Sequence, residues 1–274
     1  MTIKDILPPV LIRLAKRFIG LESTKEYDNY SLAMKVCSLS AYENAELCNM
    51  IADKTVTYIK EVKEKPFNLH QTAGLFLAAV NQYINNNSSR NLIILDFGGA
   101  CGAHYYDMKR FFPDFPLQWY VVETDLMVKS AINKGLNTNE LFFVNSIEDI
   151  KVNVDIIHSS GALQCVADPY GLLRKLINTN ASSFFFNRMM LNESSRDILT
   201  ILNSYLSSNG PGKLPKGYKD KIVSYPHTTM SYQKFNDLMI NNDYELEWIF
   251  SDTSSGIQLK NEKIFGKGLF YRKK

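Results

Sequence analysis

Residues 92–106, Leu-Ile-Ile-Leu-Asp-Phe-Gly-Gly-Ala-Cys-Gly-Ala-His-Tyr-Tyr, carry the densest chemistry in the chain. The apolar run at 92–95 reads as a buried strand, and Asp96 closes it. Gly98, Gly99 and Gly102 then make a tight turn, and a helical pattern starts near Ala103. Glycines in such a turn let backbone pass close under a ligand, because a Cβ would fill the ligand's space. The helix start offers unpaired N–H groups and the positive end of a dipole. A second β-prone run, 118–122, ends in Glu123. An acid there accepts both hydroxyls of a ribose in charge-assisted hydrogen bonds. Together the two features point to a nucleoside-containing ligand. A dinucleotide fingerprint needs G-x-G-x-x-G or G-x-G-x-x-A, and Ala100 stands at its middle glycine.

The positioning elements lie on both sides. Residues 4–20 read as a short basic helix after Pro8-Pro9, with Val10, Leu11, Leu14 and Phe18 on one side and Arg13, Lys16 and Arg17 on another. Packing on the main body and docking to an anionic membrane surface both fit that pattern. Residues 26–65 have helical spacing and end at Pro66; residues 69–84 repeat the pattern. The polar stretch 85–90 breaks it. The expected organisation is a helical N-terminal region, 1–88, and an α/β domain, 89–274. Past Glu123 the pattern predicts a helix at 126–134 and a strand at 141–144. A fourth strand starts at Asp155 and runs into Ser160-Gly-Ala-Leu-Gln. Asp168-Pro169 opens a helix to Ile177, and a strand at 183–186 ends in Asn187-Arg188. A helix is expected at 195–206. Residues 209–226 hold three prolines and three glycines and read as an irregular, lid-like loop. A helix at 231–240 and an antiparallel pair, 244–250 with 263–271, complete the chain.

Composition narrows the function. The 274 residues are 45% hydrophobic and 22% charged, enough for a sizeable core. A net charge of +3 argues against a nucleic-acid surface. Cys37, Cys48, Cys101 and Cys165 form no C-x-x-C pair and read as free thiols in a reducing compartment. No run approaches a membrane span and no secretory signal is seen. A cytoplasmic protein is expected, with residues 4–20 as the segment that would touch the inner membrane face. Nothing in the sequence sets the oligomeric state.

The glycine loop, Glu123, Asp155-Ile-Ile-His-Ser-Ser-Gly-Ala-Leu-Gln and the terminal strand pair together resemble the class I S-adenosylmethionine-dependent methyltransferase superfamily over residues 92–272. A narrower likeness spans nearly the whole chain. Leu7-Pro-Pro-Val-Leu-Ile-Arg-Leu, the Asp96 loop and Ser160-Gly-Ala-Leu-Gln before Asp168-Pro169 are similar to a family of bacterial methyltransferases often found among surface-polysaccharide and O-antigen assembly genes. The resemblance implies an α/β, Rossmann-like sheet, mostly parallel with the last strand antiparallel. It implies S-adenosylmethionine as cofactor and a small-molecule or glycan acceptor, methylated on oxygen. It also implies cofactor contacts for Asp96, Gly98, Gly99, Gly102, Glu123, Ser146 and Ser159. Methyltransferases often place an acid where Ser146 stands, which weakens that contact. Ala100 replaces a glycine common in the family, and its methyl group is expected to fit.

Transfer from a sulfonium is an in-line displacement in which positioning provides much of the acceleration. A hydroxyl acceptor also needs a base, and histidine is best matched near neutral pH. By the resemblance, His158 ends the fourth strand beside the reacting methyl, as general base or substrate hydrogen-bonding group. The alternative is a ring satisfied by a backbone carbonyl. His104 is placed on the cofactor side, and His227 could reach the site from the lid-like loop. Arg188 is expected to hold an anionic acceptor, or else to sit in a surface ion pair. No metal is implied: the fourth and fifth strands end in His158 and Asn187-Arg188, and no zinc spacing occurs. Two other readings stay open. An NAD(P)-dependent oxidoreductase would lack its Tyr-x-x-x-Lys pair, and a non-catalytic module could sit at a membrane-bound assembly complex.

Overall fold

The structure, a computed structural model, describes residues 25–37, 42–64, 66–67, 69–87, 91–251, 262 and 264–274. The basic segment 4–20 lies outside them. Three helices lead: α1 (Tyr30–Val36), α2 (Ala45–Glu61) and α3 (Gln71–Asn87). Asn29 and Asn44 cap the first two, accepting from the N–H groups of Leu32 and Leu47. Strands and helices then alternate: β1 (Leu92–Phe97), α4 (Ala103–Phe111), β2 (Leu117–Val122), α5 (Asp125–Asn133), β3 (Leu141–Val144), β4 (Ile156–Ser160), α6 (Pro169–Ile177) and β5 (Ser183–Asn192). β6 (Ile198–Tyr205), β7 (Ile222–Ser231), α7 (Tyr232–Ile240), β8 (Tyr244–Ser251) and β9 (Ile264–Lys273) follow.

Strands β3, β2, β1, β4 and β5 are parallel neighbours in that order. β9 runs antiparallel along β5, and β8 pairs antiparallel with its other edge. This is a Rossmann-like α/β sheet, mostly parallel with β9 reversed between β5 and β8, as the sequence led one to expect.

Side chains alternate between faces with period two, so Ile94 and Leu95 on β1 serve different apolar clusters. One cluster joins α2, α3, α4 and α5 to Ile94, Trp119, Ile156 and Phe185. The other joins α6 and α7 to Leu95, Ile157, Phe184 and Phe186. Helices α2 and α3 thus bury their apolar faces on the same sheet face as α4 and α5, while α1 packs against β6 and β7.

Three expectations need correction. Residues 195–206 form no helix: Ile198–Tyr205 is β6, paired residue by residue with β7. Its apolar residues sit at helical spacing because the strand is not a one-sided one: Ile198, Thr200 and Ile201 are all buried, so strict alternation is lost. The irregular loop ends at 221, and Pro226 lies inside β7. β5 meets β7 only at Met230 and Ser231, so beside Pro226 that edge has no ladder bond to lose. β5 itself runs on to Asn192 through a bulge between Phe186 and Met189. Since β9 already holds one edge of β5 there, β7 takes the edge that β4 leaves after Ser160. The β6–β7 hairpin is thereby fixed beyond the C-terminal end of β4.

Candidate functional site

The C-terminal ends of β1, β2 and β4 bring the sequence-predicted residues together. Gly98 has φ +69° and Gly102 φ +79°, and Ala100 between them also lies in the left-handed region at φ +51°. A Cβ on Gly98 would stand under 3.0 Å from the Ala162 Cβ, and one on Gly99 would run into the Asp96 carboxylate. Glycine at both positions is therefore demanded by the protein's own packing.

Glu123 fastens the loop to β2. Its Oε1 accepts from Ala100 N–H at 3.0 Å and its Oε2 from Thr124 N–H at 2.9 Å. Burial raises its pKa to about 7, against the pull of those two N–H groups. Each oxygen keeps a lone pair for a further donor. The adjacent Thr124 Oγ1 is buried with no partner among the described residues.

Asp96 is the centre of a second assembly. The β1–β4 register sets Asp96 opposite His158, so the two side chains share a face. Asp96 Oδ1 accepts from His158 Nδ1 at 2.8 Å, and Oδ2 accepts from His104 Nδ1 at 3.1 Å and Trp119 Nε1 at 3.2 Å. Burial opposes ionisation of Asp96, but the two imidazoles outweigh it and hold the carboxyl well below its usual range. His158 is closed in: its side chain is 1% exposed and its ring stacks on Phe76 at 4.3 Å. Its partner is a carboxylate, and its ring lies under α3. His104, at 32%, is the open member of the trio. These three are the one His, Cys, Asp or Glu cluster among the described residues with ligand atoms close enough for a metal, within 4.8 Å of one another.

The remaining residues divide. Ser146 caps a short turn, accepting from Glu148 N–H at 3.1 Å and bonding the Glu148 carboxylate. Ser159 is in register with Phe97 and Phe186, so it faces the α6 and α7 side of the sheet, away from His158. Its hydroxyl is buried with no partner among the described residues. Arg188 is exposed on the β5 bulge at φ +53°, with Nη2 donating to Ser160 O at 2.8 Å.

His227, offered by the sequence from a lid-like loop, lies instead buried in β7, in a pair with Gln164 that the sequence did not signal. Gln164 Oε1 accepts from Met190 N–H, which turns its amide nitrogen to His227 Nε2 at 2.7 Å. His227 Nε2 must then accept, which fixes a neutral ring with its proton on Nδ1. Burial lowers its pKa to about 4, so the ring stays neutral near pH 7. Only the β6–β7 hairpin brings it there; no local pattern signals it.

No protein-family model matches the chain, and no curated protein matches it by sequence. Some solved structures are similar to it. An S-adenosylmethionine-dependent methyltransferase from Clostridium acetobutylicum is 12% identical over 75% of this chain and 92% of its own, with a TM-score of 0.45. An amino pentose methyltransferase of calicheamicin biosynthesis from Micromonospora echinaspora is 10% identical over 75% and 92%, TM-score 0.46. The CcbJ methyltransferase from Streptomyces caelestis is 9% identical over 82% and 98%, TM-score 0.47.

Proposed function

We propose that this chain is an S-adenosylmethionine-dependent methyltransferase that methylates a hydroxyl of a sugar or glycan precursor in bacterial surface-polysaccharide synthesis. The observation that carries the cofactor assignment is Glu123, bonded to the glycine loop at the end of β2, in a sheet whose β9 is reversed between β5 and β8. Nicotinamide enzymes use the same acid on a sheet of order 3-2-1-4-5-6 that runs parallel. The reversed strand and Ala100 favour the methyltransferase, as a fold-level analogy.

The residues fit the cofactor. Glu123 would accept the ribose hydroxyls, and the orphaned Thr124 hydroxyl would gain a partner there. Ser146 would reach an adenine only by giving up its bond to Glu148. Once bound, the cofactor supplies a methyl group already activated as a sulfonium. Arg188, exposed on the β5 bulge, would hold an anionic group of the acceptor. Residues 4–20 would bring the chain to the inner membrane face. Among the described residues no helix is long and apolar enough to cross a membrane.

Calorimetric titration with S-adenosylmethionine and, separately, NADH tests the reading. Micromolar binding of the former alone supports it, and S-adenosylhomocysteine release with sugar and lipid-linked acceptors then identifies the substrate. NADH binding alone would replace it with the oxidoreductase. Binding of neither would favour the interaction module.

A further inference from the structure

We propose that His104 grips the anionic end of the bound cofactor, the amino-acid carboxylate of S-adenosylmethionine, while Asp96 and His158 hold His104 in place; this rests on the methyltransferase reading.

Three N–H donors converge on one carboxylate: His158 Nδ1, His104 Nδ1 and Trp119 Nε1. A carboxylate only accepts, so each nitrogen facing it carries its proton. His104 Nε2 is therefore turned away from Asp96. Asp96 and His158 are 0% and 1% exposed, and only His104 opens outward. It stands two residues past Gly102, at the same end of the sheet as Glu123.

Charge decides what His104 does there. A carboxylate shut from water is costly unless paired, and one protonated imidazole makes the trio neutral. Burial works against a charge on His104, but the Asp96 charge prevails and raises its pKa. At His158 burial prevails and the pKa falls. The proton therefore belongs on His104. Asp107 on α4 adds a negative charge in its favour, and Arg188 from β5 opposes it. An imidazolium donates through both nitrogens. His104 is then a hydrogen-bond donor seeking an anion, not a base. S-adenosylmethionine carries one carboxylate. Asp96 and His158 are positioning residues, since neither reaches the ligand.

The test compares S-adenosylmethionine with its decarboxylated analogue by calorimetry from about pH 6 to about pH 9. The proteins are the wild type, His104→Asn and Asp96→Asn. Asparagine keeps a donor toward Asp96 but loses the charge and the outward N–H. A hydrogen bond to a charged group is worth about tenfold or more in affinity. Wild-type affinity for S-adenosylmethionine should fall by about that factor on the alkaline side. His104→Asn should lack this limb and bind about tenfold more weakly near pH 6. The decarboxylated analogue should bind both proteins equally, which also shows that the variant is folded. Glu123 sets an acid limb that stays in both. Asp96→Asn should move the alkaline limb to lower pH, in step with the His104 proton resonance.

Equal losses for both ligands in His104→Asn, or an unchanged alkaline limb, would overturn the proposal while leaving the cofactor assignment intact. Stoichiometric binding of Zn2+ or Mn2+ that His104→Asn abolishes would overturn it in favour of a metal centre. Failure of S-adenosylmethionine to bind the wild type at any pH would remove the methyltransferase reading and this proposal together.

Discussion

Gly98→Ala perturbs the loop by one carbon, and the structure says where the cost falls. Gly98 sits at φ +69°, where an L-residue pays about 1–2 kcal/mol. The new Cβ would also stand under 3.0 Å from the Ala162 Cβ, inside contact distance. Overpacking of this kind costs about 1–3 kcal/mol. The sum is a loss of about 2–5 kcal/mol, read as a fall in the urea midpoint at constant slope. Ala162→Gly removes only the second part, so a double-mutant cycle isolates it. Ala162 is itself at φ −90°, ordinary for any residue, and its change to glycine alone should cost under about 1 kcal/mol. The coupling energy between the two sites should be about 1–3 kcal/mol. A coupling near zero would refute the claim that Gly98 is held by the loop after β4. The glycine would then be free for the ligand contact that the sequence suggested.

Glu123→Gln should change how stability depends on pH. A carboxyl raised from the ordinary 4.5 to about 7 binds its proton more tightly folded than unfolded. Its contribution is therefore complete below about pH 4.5 and is lost as pH rises through about 7. The wild-type-minus-variant difference in unfolding free energy should decline across that window, by on the order of 1–3 kcal/mol. His227 acts in the opposite sense at similar pH, which is why the difference is the quantity to measure. A flat difference would place Glu123 in water. Lys54→Met tests the joint between α2 and the segment after β6. The Lys54 Nζ, on a side chain 1% exposed, donates to the carbonyls of Ser207, Asn209 and Gly210 at 2.8, 2.6 and 3.1 Å. Leaving three acceptors without their donor should cost about 2–4 kcal/mol in chemical denaturation. A loss under about 0.5 kcal/mol would show that water replaces the ammonium.

Most of the sheet was legible because its signals are local. The apolar runs of β1, β2 and β3, the Asp168-Pro169 start of α6 and the Ser231 cap of α7 each declare themselves within a few residues. Asp168 accepts from Gly171 N–H at 2.8 Å and Ser231 from Lys234 N–H at 3.4 Å, as their positions before an apolar periodic run suggest. The glycine loop and Glu123 were legible for the same reason. β6 was not. Ile198, Leu199, Ile201 and Leu202 satisfy a helical period as well as a strand whose burial does not alternate, and nothing local tells the two apart.

By itself, then, the sequence determined the alternation of strands and helices, the turn at Gly98 to Gly102 and the acid at the end of β2. These depend on side-chain size, backbone freedom and caps between near neighbours. The tertiary structure decided which histidine is open to the site. His104 and His158 lie 54 residues apart along the chain; His104 reaches Asp96 across the glycine loop, but His158 meets it only because β1 and β4 pair with Asp96 opposite His158. The same register carries His158 beneath Phe76 of α3 and leaves His104 facing outward. Accessibility and charge at one buried carboxylate follow from strand register and from what covers it, and neither quantity exists until the distant segments have packed.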